Sequence, residues 1–185
     1  MYGDSRRDAE ATRQLLEVLD LALAAHDPWP ALVLDAHFDL VAGNRAVELL
    51  MGLVDADLLD PPVNLVRAML HPRGLSRYVT NMPRWRAHML RQVRRHAAVA
   101  PSDDLSALLR EIEAYPSDDD AGDLRGGPTF ALPLELDLGN GPLRFYSTVA
   151  TFGTPLDVAA SELAIETFLP ADAATRAFLV DLASA

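Results

Sequence analysis

Leu15, Leu16, Leu19 and Leu23 recur at helical spacing within residues 8–26, with Glu10, Arg13, Glu17 and Asp20 on the outside, and the pattern predicts an amphipathic helix. Asp27, Pro28 and Pro30 end it. The short apolar runs 31–35 and 38–42 flank a turn at Ala36 and His37 and read as two strands. Asn44 is placed to cap a helix over 45–51, which Gly52 closes. A short apolar stretch, 64–70, ends at His71 and Pro72. Pro83 suits the first turn of a helix running to about residue 98. On that helix Trp85, Met89, Gln92 and His96 share one face, and Arg84, His88, Arg91 and Arg95 share another. Ser102 followed by Asp103 and Asp104 marks the start of a helix over 105–115.

After an Asp- and Gly-rich loop over 117–128, the period changes to two. Phe130, Leu132, Leu134, Leu136 and Leu138 alternate with Ala131, Pro133, Glu135 and Asp137. Gly139-Asn140-Gly141 is a hairpin turn signal. Strands are therefore expected over 129–138, 142–152 and 161–169, and a last helix from Asp172 to Leu182. Two strands, several helices, three strands and a helix make an α+β order. The arrangement expected is one five-stranded antiparallel sheet over 27–185, with the middle helices on one face and the helix of 1–26 preceding it. A helix-covered sheet face is a natural small-ligand pocket. Val63, Leu65, Val66, Met69, Trp85 and Met89 would line it from the helices, and Leu34, Phe145 and Ser147 from the sheet. Strand faces are ambiguous by one residue, since a one-residue shift turns every side chain over.

Composition narrows the function classes. The 185 residues are half hydrophobic, and no apolar run is long enough for a membrane span. The absence of cysteine excludes disulfides, thiolate metal sites and thiol catalysis, and fits a cytoplasmic protein. A net charge of −11 opposes general nucleic-acid binding. The charge is uneven. Residues 61–102 contain no Asp or Glu but hold Arg67, Arg73, Arg77, Arg84, Arg86, Arg91, Arg94 and Arg95, half of the 16 basic residues. Three readings stay open: salt bridges between neighbouring helices, an anion site for carboxylates, or contact with an acidic partner such as a second copy of the chain.

Two groups of motifs carry a resemblance. Pro30-Ala-Leu-Val-Leu-Asp35 and Phe38-Asp-Leu-Val-Ala-Gly-Asn-Arg-Ala46 resemble the opening of a PAS domain, where a strand pair leads into a helix starting at Asn. His26-Asp-Pro-Trp-Pro-Ala-Leu-Val33, Pro61-Pro-Val-Asn-Leu65, Leu70-His-Pro-Arg-Gly-Leu75 and Trp85-Arg-Ala-His-Met-Leu90 recur in order. They are followed by Phe145-Tyr-Ser-Thr-Val-Ala-Thr-Phe-Gly-Thr-Pro155 and Glu162-Leu-Ala-Ile-Glu-Thr-Phe-Leu-Pro-Ala-Asp172. Together they are similar to the ligand-binding domain of the MmyB-like transcription regulators, from about residue 22 to 178. In those regulators a helix-turn-helix precedes this domain. Only about 25 residues do so here, so direct DNA binding by this chain is not expected.

No Cys, GxSxG, HExxH, GxGxxG or P-loop signature is present. His88 and His96 lie two helical turns apart, too far to share a zinc ion on a straight helix. The resemblance extends to stand-alone PAS proteins that are haem enzymes of the N-nitroglycine lyase type. It implies b-type haem with His71 as the iron ligand and Arg67, Arg73, Arg77, Arg84 or Arg91 near the propionates. Tyr146, Ser147 and Thr148 would be the hydrogen-bond donors on the other side of the iron. The alternatives are that His71 simply caps its helix, and that the domain is a non-enzymatic sensor of an apolar or fatty-acid-like ligand. The leucine stripe of the first helix suggests a homodimer, since PAS proteins often pair there.

Overall fold

The computed structural model describes residues 4–116, 132–151 and 163–184. Helix α1 (Asp4–Ala24) leads into strands β1 (Ala31–Leu34) and β2 (Leu40–Gly43). Helices α2 (Arg45–Met51), α3 (Leu65–Leu70), α4 (Met82–Val99) and α5 (Asp103–Glu113) follow. Strands β3 (Leu134–Asp137), β4 (Pro142–Thr151) and β5 (Ala164–Pro170) and helix α6 (Ala173–Ala183) complete the chain. The sheet is five-stranded and antiparallel throughout, in the order β2-β1-β5-β4-β3. This is the expected α+β, PAS-like architecture. The outer ends of the three expected C-terminal strands, 129–131, 152 and 161–162, fall outside the described residues, as does the loop 117–128.

The caps form where the sequence places them. Asn44 accepts from the Val47 N–H, and Ser102 from the Leu105 N–H. Gly139 and Gly141 both have positive φ, 92° and 99°, the backbone that only the glycines of this hairpin turn adopt without strain. Asn64 is a cap that the sequence pattern left unmarked. It accepts from the Arg67 N–H and donates to the His37 carbonyl and to Asp39.

Both edges of the sheet are tied to the helical layer. Leu40 N–H donates to Val63 C=O at 2.8 Å, and Leu65 N–H to Phe38 C=O at 2.9 Å, so the chain entering α3 runs along β2. At the other edge, Thr80 N–H donates to Glu135 C=O at 2.9 Å, and Asn81 bonds Pro133 C=O and Glu135 N–H. These contacts tie the chain before α3 and the chain before α4 to the sheet and cover part of each edge.

The main core lies between the sheet and α2 to α5. It packs Leu32, Leu34, Phe145 and Phe168 against Val66, Met69, Trp85, Val93, Leu105 and Ile112. A smaller cluster lies on the opposite face, where Leu19 and Leu23 of α1 cover Ala31, Val33 and Ile165. The leucine stripe of α1 is thus largely used on the chain's own sheet, which removes it as a reason to expect pairing. Leu16 and Leu21 stay exposed. Gly74 is held against α3. A Cβ there would stand 2.1 Å from the Ala68 carbonyl oxygen. Gly74→Ala should therefore cost about 1–3 kcal/mol through forced backbone movement. Urea unfolding would measure this, and a neutral result would mean that the turn after α3 relaxes freely.

Candidate functional site

Between the inner face of the sheet and α2 and α3 there is a cavity of about 20 Å³. Leu32, Leu134, Leu136, Phe145 and Phe168 line it from the sheet. Val47, Leu50 and Met51 come from α2, Leu65 and Met69 from α3, and Leu75 from the turn that follows. Every lining side chain is apolar. The volume holds about one water-sized sphere, and an apolar cavity of that kind stays dry. Its walls include two methionines and several leucines, side chains that rearrange at small cost.

Next to the cavity on the same sheet face lies a polar pair. Ser147 follows Phe145 by two residues on β4, and Glu166 precedes Phe168 by two on β5, so all four point to the same side. The Ser147 hydroxyl donates to the Glu166 carboxyl. Burial among apolar neighbours pushes the Glu166 carboxyl above its usual range, with the serine bond opposing. Its residue keeps partial exposure to solvent.

Of the residues expected in the pocket, Leu65, Met69 and Phe145 line the cavity, and Ser147 lies beside it. Val66, Trp85, Met89 and Leu34 are buried in the core around it without lining it, and Val63 is half-buried. Trp85 stacks on His88 at 5.3 Å, and its buried indole Nε1 has no hydrogen-bond partner among the described residues. Burial, with Arg91 and Arg95 nearby, holds His88 below the usual histidine range. Tyr146 and Thr148 are exposed on the opposite face of β4.

The arginines mostly pair with the acids that flank their segment. Arg67 makes a bidentate contact with Glu111 at 2.7 and 2.8 Å. Arg73 pairs with Asp57 and Arg77 with Asp55. Arg94 pairs with Glu113, and Arg86 donates to carbonyls at the end of α5. Arg84 and Arg91 are exposed on α4. His71 ends α3 with its backbone N–H on Arg67 C=O, its ring edge-on to Tyr115 at 5.0 Å, and its Nδ1 accepting from the Arg73 N–H at 3.1 Å. The ring does not line the cavity. Among the described residues no group of three His, Asp or Glu side chains could hold a metal ion. No described helix is long and apolar enough to cross a membrane.

Residues 15–182 match the MmyB-like transcription regulator ligand binding domain, nearly the whole chain. The chain belongs to this family. No curated protein matches it. As an MmyB-like domain it is a small-molecule-binding module, and its cavity lies where helices cover the sheet.

The residues of this MmyB-like domain, as arranged, do not fit the haem that the resemblance implies. A histidine that binds iron through Nε2 carries its proton on Nδ1. Here the Nδ1 of His71 faces a backbone N–H and accepts from it. Arg67, Arg73 and Arg77 are already engaged by carboxylates, and the cavity is far smaller than a macrocycle.

A second, polar concavity of about 310 Å³ lies over α3 and α5, lined in part by His37, Asp39, Asn64, Arg67, Asp104 and Glu111. At its floor the Arg67 guanidinium holds the Glu111 carboxyl below its usual range, with help from Tyr115. A depressed carboxyl stabilises the fold above the unfolded-state pKa, and this is lost as pH falls through the lower folded-state value. The pair is about one-third exposed, so Glu111→Gln should cost no more than about 1 kcal/mol near neutral pH. The difference from the parent protein should shrink when the pH is lowered from neutral to below the ordinary glutamate range. Urea unfolding at the two pH values checks this, and a constant difference would refute the ion-pair account.

Proposed function

We propose that this domain is a non-enzymatic sensor of a small apolar molecule, which enters between the sheet and helices α2 and α3. The observation that carries the reading is the cavity with an entirely apolar wall drawn from both layers. Its small volume means that binding proceeds by rearrangement of Met51, Met69 and the leucines around them, and not by filling a ready-made chamber. Breakdown of a nitro compound has no supporting geometry. Absorbance of protein expressed with haem supply tests that alternative, and a Soret band lost in His71→Ala would favour it.

The test of the sensor reading uses n-alkanols of increasing chain length and thermal unfolding. A ligand at 100 times its dissociation constant stabilises by about 2.7 kcal/mol. Tm should rise with chain length up to a cut-off. Leu50→Phe, at a half-buried position of the cavity wall, should shorten that cut-off. No shift with any alkanol would overturn the proposal.

A further inference from the structure

We propose that the Glu166–Ser147 pair is the polar anchor of the pocket and that it selects an apolar ligand carrying a protonated amine. The inference rests on the sensor reading and names the ligand class. Glu166 lies directly across from Leu32 on β1 and from Val149 on β4, and shares its sheet face with Phe168. Leu32 and Phe168 both line the cavity. The carboxyl therefore stands one step along the sheet from the apolar wall, within reach of the head of a molecule whose tail lies on that wall.

The chemistry of the head follows from what Glu166 lacks. Among the described residues it makes one hydrogen bond, from Ser147, and no ion pair. Arg67, Arg73, Arg77 and Arg94 pair with Glu111, Asp57, Asp55 and Glu113, away from this carboxyl. A carboxyl in apolar surroundings must either keep its proton or find a cation. Burial raises the carboxyl above its usual range, so its charged form gains from a cation beside it. A ligand ammonium would supply the missing cation and donate to the carboxylate oxygen that Ser147 does not use. A carboxylate head would meet a second acid with no base beside it and would be disfavoured. An alcohol would gain only neutral hydrogen bonds. The partial exposure of Glu166 gives such a head a route from solvent.

The experiment compares n-octylamine, 1-octanol and octanoate by isothermal titration at neutral pH. Octylamine should bind about tenfold or more tightly than octanol, and octanoate most weakly. Glu166→Gln has the same shape without the charge, and it should bring octylamine down to the level of octanol while leaving octanol binding in place. Glu166→Met, with similar bulk, should behave alike and serves if the glutamine variant does not fold. Octylamine no tighter than octanol would overturn the inference and leave the sensor reading standing. A preference for octylamine that survives both substitutions would overturn it too, assigning the preference to the acidic surface. Binding of none of the three would overturn the inference and the sensor reading together.

Discussion

Phe145→Ala should lower the free energy of unfolding by about 3–5 kcal/mol. Phe145 is 2% exposed, lies on the inner face of β4 between β3 and β5, and is among the largest fully buried side chains. Its removal deletes the transfer energy of a ring and enlarges a cavity that already exists beside it. The walls cannot collapse fully, because Leu134 and Phe168 are fixed by strand pairing on either side. The control is the next residue. Tyr146 is 41% exposed on the opposite face, so Tyr146→Ala should cost less than about 1 kcal/mol. Urea unfolding of the two variants is sensitive to the register of β4. Equal costs would mean that the strand faces are assigned wrongly.

Asn44→Ala should cost about 2–4 kcal/mol, more than an ordinary helix cap. The side chain is 7% exposed and makes four hydrogen bonds. Its oxygen accepts from Val47 N–H at the start of α2 and from Ala31 N–H at the start of β1. Its amide donates to Asp27 and to the Trp29 carbonyl. Alanine would remove the cap and leave buried backbone groups unpaired at once. Asn44→Ser should be milder, since a hydroxyl can still cap the helix. Asn44→Asp should not rescue, because it loses both donors and sets a carboxylate against Asp27. Thermal and urea unfolding should rank them parent, then serine, then alanine, and a cost for alanine below about 1 kcal/mol would reduce Asn44 to a simple cap.

The fold was legible wherever a short-range rule governs it. Alternation over Leu134, Leu136 and Leu143, the paired glycines of the hairpin, and the caps at Asn44 and Ser102 each involve neighbours in sequence. The cationic stretch shows where such rules stop. Its arginines pair with acids 16 to 44 positions away, as Arg73 does with Asp57 and Arg67 with Glu111, and spacing carries no signal for that. Of three open readings, the salt-bridge surface is the one that most of these arginines adopt. His71 was visible as a helix end, but its ring packs against Tyr115, 44 positions away and just past the end of α5. Glu166 was hidden for a different reason. In a strand covered on both faces, alternation does not separate inside from outside. Ile165 packs under α1 while Phe168 faces the main core. A charge in such a strand reads as an outward residue until its neighbours on both sides are known.

The central place of β5 fixes which part of the molecule can yield. It is hydrogen-bonded along both sides, to β1 and to β4, and lies beneath α1 on one face and the helical layer on the other. Its amides should exchange with solvent deuterium only when the whole domain opens, and should be the slowest in the protein. Amides of α2 and α3, short helices bonded to the sheet mainly through their first residues, should exchange through local opening. Deuterium uptake followed residue by residue would read this hierarchy directly, and a β5 that exchanges as fast as α3 would contradict it. Ligand entry is then a motion of the helices against a stationary strand, with Glu166 as the fixed point that an arriving molecule meets.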